Sequence, residues 1–180
     1  DIKSLSDFRK DKEIYNLIKM LASRVGSRLD YNKLASLTGL SRHTIEEYVD
    51  FFEKTYLIYR TPVYTHNTDR EIVKAKKIYF CDNGLMNILA ENSSGSKFEN
   101  AFFNLIRHFG NVYYYALKNG NEIDFVLNKK IALETKESPT KIDLNNLTRL
   151  SKIAGIKKYY LIGRKNVPGF NDYIWGGDIK

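Results

Sequence analysis

The stretch NEIDFVLNKKIALETKES, residues 121–138, admits few folds. Two runs of alternating apolar residues flank the polar turn Asn128-Lys129-Lys130, the pattern of a β-hairpin with one buried face. Centring the turn on Lys129 sets Leu127 against Ile131, Phe125 against Leu133 and Ile123 against Thr135. A one-residue slip would set these apolar side chains against Ala132, Glu134 and Lys136, so the alternation selects this register or one shifted by an even number. On the other face, Asp124 falls opposite Glu134, and Glu122 opposite Lys136. Opposed Cβ atoms lie about 4.5–5.5 Å apart, and like charges there repel unless something neutralises them. A hard divalent cation does so, since Mg²⁺ accepts one or two carboxylates and fills its shell with water and phosphate oxygens. Lys136 projects from the same face as Glu134. The plain alternative is a solvated sheet face with a Glu122–Lys136 ion pair. Three features weigh against it: the apolar flanks, the acidity of this spot within a basic region, and a further acid, Glu99, at the start of the preceding helix.

Net charge is +8 over 180 residues, and the excess is uneven. Residues 1–96 carry 15 basic and 13 acidic side chains, whereas residues 97–180 carry 14 and 8, so a preference for an anionic partner belongs more to the second half. Hydrophobic residues at 43% exclude a disordered chain, and no apolar run approaches the roughly 20 residues of a membrane span. The single cysteine, Cys81, fits a reducing compartment, and a cytoplasmic location is expected. Three histidines and one cysteine give no zinc-ligand spacing.

The first half reads as helices and then strands. Ile14, Leu17, Ile18, Leu21 and Val25 recur at helical spacing until Gly26. Leu34, Ala35 and Leu37 fit a short helix, Gly39-Leu40 a turn, and Ser41 caps a longer helix that buries Ile45, Tyr48, Val49 and Phe52. That is the helix-turn-helix pattern. YLIYRTPVY and KKIYFCD, around a polar stretch from His66 to Lys76, then read as the two strands and loop of a wing. The polar ENSSGS, 91–96, is expected to link a first domain, 1–90, to a second, 97–180. In the second domain Phe98, Ala101, Phe102, Leu105, Ile106 and Phe109 line one face of a helix; NVYYYAL, the hairpin, a helix over IDLNNLTRLSKIAG and the strand KKYYLIG follow. The expected fold is thus a two-domain α+β, or α/β, chain: a winged helix-turn-helix and then an αβββαβ unit. Tyr113, Tyr114, Tyr115, Tyr159 and Tyr160 read as strand residues packing the sheet, and GFNDYIWGG as a strand or a partner contact.

That order, with Asp124 and then Glu134-Thr135-Lys136, resembles the PD-(D/E)xK nucleases of restriction-endonuclease-like fold. Glu99 in KFENAFF matches the glutamate many members carry in the first helix. LTGLSRHTIEEYVDFFEKTYLIYRTPVY, KIYFCDNGL, KFENAFFNLIR and NEIDFVL together resemble the domain of unknown function C-terminal to prokaryotic AAA+ ATPase modules, from about residue 12 onward. The resemblance implies that Asp124, Glu134 and the Thr135 carbonyl hold Mg²⁺ or Mn²⁺, that Lys136 orients water or stabilises developing charge, and that Glu99 assists with the metal. It implies phosphodiester hydrolysis, and a partner ATPase domain in the same parent chain through which homo-oligomers form. No GxxxxGK[ST] phosphate loop is present, so the ATP site is expected outside these 180 residues.

DNA is the expected ligand, with RNA second. Arg42 and His43 sit where reading helices touch bases, and Lys33, Arg70, Lys74, Lys76 and Lys77 are candidate phosphate contacts. Glu46, Glu47 and Asp50 on the same helix favour instead a protein-contact module. Two functions compete: a metal-dependent nuclease attached to an ATPase, and a catalytically silent DNA- or protein-binding module regulating it. A toxin–antitoxin or defence component is the third. Convergence of Asp124 and Glu134 on one cation beside Lys136 separates the first from the second.

Overall fold

A computed structural model describes residues 11–178 of the chain. The chain opens with three helices, α1 (Asp11–Ala22), α2 (Tyr31–Thr38) and α3 (Arg42–Lys54). The Asp30 side chain accepts from the Lys33 N–H at the start of α2, and Ser41 does the same for Thr44 at the start of α3. Gly39 closes α2 at φ 73°, a left-handed conformation that costs glycine nothing. The apolar faces of these helices meet around Leu17, Leu21, Leu34, Ile45, Val49 and Phe52.

Strands β1 (Ile58–Thr61) and β2 (Lys77–Phe80) pair antiparallel, from Ile58–Phe80 to Thr61–Lys77. The polar stretch between them is more than a loop, since it holds α4 (Thr68–Val73), capped by Asn67. Residues 26–29 lie along the outer side of β2: the Gly26 N–H donates to the Ile78 carbonyl, and the Ile78 N–H to the Ser27 carbonyl. After α5 (Asn83–Leu89) comes α6 (Ser94–Ile106), capped by Ser93. The expected 91–96 linker is therefore partly helical, and its serines begin α6.

A five-stranded sheet follows, in the order β3 (Val112–Ala116), β4 (Glu122–Leu127), β5 (Ile131–Lys136), β6 (Lys158–Gly163) and β7 (Ile174–Trp175). The first three strands are antiparallel, and β5, β6 and β7 run parallel. A parallel step requires a crossover, which α7 (Lys141–Ile153) supplies between β5 and β6. Apart from the added β7, formed from the ambiguous GFNDYIWGG, this is the expected order of elements.

The two faces of the sheet are covered differently. Phe102, Phe103 and Ile106 of α6 meet Phe125, Leu133 and Ile162 in the same apolar cluster that holds α1, α3 and β2. Leu147, Leu150 and Ala154 of α7 meet Ile123, Val126, Ala132 and Leu161 on the other face. One core thus runs through both halves of the chain. A parallel bridge from Val63 to Tyr114, at the β3 edge, adds a main-chain link. This docking brings β2 alongside the acidic residues of the hairpin.

Candidate active site

The hairpin adopts the register that its alternation demands: Leu127 pairs with Ile131, Val126 with Ala132 and Phe125 with Leu133. Asn128 and Lys129 take positive φ in the turn, and the Lys130 N–H closes on the Leu127 carbonyl at 3.0 Å. The register changes on the other side of β4. Tyr113 pairs with Val126 but Tyr115 with Ile123, so β4 carries one extra residue opposite Tyr114. Such a bulge re-aims side chains. It breaks the expected single apolar face: Phe125 packs with α6, whereas Ile123 joins the cluster under α7.

Asp124 lies within this irregularity. Its N–H goes to the Glu134 side chain at 3.1 Å, and regular pairing of the two strands stops at Phe125–Leu133. One carboxylate oxygen of Asp124 accepts both the Thr135 N–H at 3.0 Å and the Thr135 hydroxyl at 2.9 Å. Lys136 Nζ donates to the other oxygen of Glu134 at 2.7 Å. Asp124, Glu134, Thr135 and Lys136 are therefore brought together as the sequence predicted. Thr135 contributes its N–H and hydroxyl, holding Asp124 in place. The alternative Glu122–Lys136 pair does not form, because Lys136 turns to Glu134 on its own strand.

The cation that the acids require comes from an unexpected place. Lys77, expected on the wing as a phosphate contact, is buried, with 2% of its side chain accessible. Its ammonium lies 2.8 Å from Glu122, 3.7 Å from Asp124 and 3.8 Å from Glu99. The phosphate role is thus corrected: β2 is buried along its whole length, and its docking against β4 points Lys77 into the carboxylates. Glu122 also receives the Arg28 guanidinium at 2.8 Å. Glu99 reaches the cluster from α6 and accepts the Tyr79 hydroxyl at 2.8 Å. A Cβ on Gly26, at φ +76°, would stand 2.7–2.9 Å from the Glu99 carboxylate, so only glycine leaves the carboxylate its seat.

The electrostatics follow from this packing. Burial pushes Glu134 up to about 8, with the Asp124 charge adding to it and Lys136 opposing it. Burial and then the Asp124 charge raise Glu99 to about 7, against the pull of Lys77 and Tyr79. For Lys77, burial disfavours the charge, but Asp124, Glu99 and Glu122 outweigh it and lift its pKa above the ordinary lysine value. Burial likewise opposes ionisation of Glu122, yet Lys77 and Arg28 hold its pKa below the usual carboxylate range. The cluster is a set of buried acids whose mutual repulsion is relieved by built-in cations.

Asp124 and Glu134 present hard oxygen donors from adjacent strands, and their coupling is the kind that a divalent cation relieves. Two carboxylates with water suit Mg²⁺ or Mn²⁺. Among the described residues, no group of three or more His, Cys, Asp or Glu side chains is arranged to hold a metal ion. Glu99 is engaged by Lys77 and Tyr79, so Asp124 and Glu134 form the candidate pair.

The remaining predicted nucleic-acid contacts separate. Arg42 and His43 are exposed at the start of α3 but turn to Glu46 at 2.8 Å and Glu47 at 3.4 Å. Arg42, Lys74 and Lys76 share one surface cleft with Arg28. Arg70 and Lys74 line a second, neighbouring cleft. Lys33 is exposed, and its N–H completes the α2 cap. Glu122, Tyr79, Gly26 and Arg28 were not expected in the site. The surplus of acids over Lys136 in the hairpin was the available signal that another cation had to arrive.

These features define a mixed α/β chain with two sheets and a buried carboxylate–lysine cluster at the junction of its halves. The family model described as a domain of unknown function, DUF8612, matches residues 1–96, and the chain belongs to that family. A second domain of unknown function, DUF4143, matches residues 94–175, and it is often found at the C-terminus of AAA-type ATPases. No curated protein and no solved structure matches the chain. Among the described residues no helix is long and apolar enough to cross a membrane.

Proposed function

We propose that this chain is the C-terminal, nucleic-acid-binding module of a cytoplasmic AAA-type ATPase, a winged helix followed by a PD-(D/E)xK-type domain that hydrolyses phosphodiesters with Mg²⁺ or Mn²⁺. The observation that carries this reading is the interlock of Asp124, Glu134 and Lys136 on adjacent strands, with the Asp124 N–H on Glu134 at 3.1 Å and Lys136 on the same carboxylate at 2.7 Å. Asp124 and Glu134 would hold the cation, which when bound supplies Lewis-acid polarisation of a phosphate and an activated water. Thr135 fixes the Asp124 carboxylate through its two hydrogen bonds. Lys136 offers an ammonium for the charge developing on phosphate oxygens. Glu99 and Glu122 keep Lys77 in place and so set the local charge.

A second reading has its own observation. Lys77 already supplies a positive charge beside Asp124 and Glu99, which suits a catalytically silent module whose cluster only cements the two halves. Cleavage of single-stranded, double-stranded and branched DNA and of RNA, with Mg²⁺ or Mn²⁺ and the ATPase domain supplied, decides between them. The nuclease reading expects cutting that Asp124→Ala, Glu134→Ala and Lys136→Ala each abolish while the fold survives. Cutting that persists in all three variants removes the site assignment, and no cutting of any substrate by the unaltered chain selects the silent module.

A further inference from the structure

We infer that the cleft between α4, the segment after β1 and the β3 edge of the sheet holds a single strand of nucleic acid by its phosphates. The cleft encloses about 590 Å³, and its lining includes Arg28, Arg70, Lys74 and Lys118 but no carboxylate. Tyr64 and Tyr115, with ring centroids 6.2 Å apart, give it an aromatic wall. Among the described residues, Arg70, Lys74 and Lys118 make no ion pair, in a molecule where Arg60, Lys77 and Lys129 all find acids. Gathering three unpaired cations beside Arg28, whose partner Glu122 lies outside the cleft lining, is unfavourable by itself, and a polyanion is the ligand that relieves it.

The shape argues for a strand over a free nucleotide or a duplex. A volume of this size suits a ligand of nucleotide dimensions. The cleft does not end there. Arg28 and Lys74 also line a second cleft, of about 650 Å³, which adds Lys76, Arg42 and Arg60, with Asp30 its one carboxylate, and reaches the start of α3. A track of cations with aromatic side chains along it is how proteins hold single strands without reading sequence. Arg28 also bonds Glu122, and Glu122 bonds Lys77 beside Asp124, so the track borders the carboxylate cluster. The inference rests on the proposed nucleic-acid role, names single strands as its ligand class, and adds Arg28, Lys118 and the tyrosine wall to the surface that was expected.

The test is fluorescence anisotropy on the full chain, in EDTA, with labelled oligo-dT and oligo-U of about 15 nucleotides, a length that one such groove covers. Each phosphate neutralised on a single strand contributes about −0.7 to the slope of log K against log salt. Arg70→Ala with Lys118→Ala, both exposed positions, is therefore expected to flatten the slope by about 1.4 and to weaken binding at low salt at least about tenfold. Arg70→Lys with Lys118→Arg restores the slope. Lys54→Ala, an exposed lysine at the end of α3 outside both clefts, leaves binding unchanged. An unchanged slope in the double alanine variant overturns the inference. So does equal competition by a duplex of the same length, or full competition by dTMP at the oligonucleotide's own concentration. Because the assay excludes metal, absence of cutting bears on Asp124 and Glu134 and leaves the cleft to be judged by binding alone.

Discussion

Replacing Lys77 with methionine removes one buried charge and almost nothing else. The side chain is sealed, so shape is kept while Glu122, Asp124 and Glu99 lose a cation at 2.8, 3.7 and 3.8 Å. At an effective dielectric of about 20 the three attractions amount to roughly 15 kcal/mol gross. Most of that offsets the desolvation of the ammonium and of the acids, and breaking a buried ion pair from one side costs about 3–5 kcal/mol net. Lys77→Met is therefore expected to lower the urea unfolding free energy by about 3–5 kcal/mol at pH 8 in EDTA. Two treatments should return part of the loss. Lowering the pH to 5 protonates Glu99, already raised to about 7, and millimolar Mg²⁺ supplies a replacement cation. Exposed lysines such as Lys33 should tolerate the same change within about 0.5 kcal/mol. If Lys77→Met is as stable as the unaltered chain at pH 8, Lys77 does not neutralise the cluster and the electrostatic account fails.

Gly26→Ala should cost more than Gly39→Ala, although both glycines have φ near +75°, because only at Gly26 does a Cβ displace the Glu99 carboxylate from Tyr79 and Lys77. Equal losses in urea unfolding would remove the Glu99 contact from the account. Glu134, raised to about 8, keeps its proton in the folded state above the ordinary carboxylate pKa at which the unfolded chain loses it. Its contribution is thus fully present below about pH 4.5 and is lost as pH rises through about 8, on the order of 2–4 kcal/mol. In EDTA, stability should fall over that window, and Glu134→Gln should make the fall shallower; an identical profile in the variant would contradict the burial of this acid.

Much of the fold was written in local pattern. Helices α2 and α3 declare themselves because Asp30, Ser41 and Gly39 mark their ends and Ile45, Tyr48, Val49 and Phe52 the buried stripe of α3. The hairpin register follows from Leu127, Phe125, Leu133 and Ile131, since a one-residue slip exposes them all. The bulge at Asp124 was hidden because Ile123 and Phe125 keep the alternation while the backbone between them breaks it. Helices α4 and α5 were missed because six or seven residues give too little periodicity to distinguish a helix from a polar loop. Lys76 and Lys77 look alike in sequence. Lys76 lies just before β2 and stays half-exposed, whereas the docking of β2 on the hairpin buries Lys77, a difference set by tertiary contacts with residues about 45 positions away. The candidate site was therefore legible in its acids and in Lys136, and illegible in the cation that balances them.

The central claim is that Asp124 and Glu134 share a divalent cation, and Mn²⁺ binding followed by loss of the free-ion electron paramagnetic resonance signal tests it most directly. The account predicts one Mn²⁺ per chain in the unaltered protein, competed by Mg²⁺, with affinity reduced at least about tenfold in Asp124→Asn and in Glu134→Gln, the loss of one charged ligand being worth more than about 1.4 kcal/mol. Mn²⁺ that remains free at millimolar protein, or that binds both variants as tightly as the unaltered chain, would contradict it.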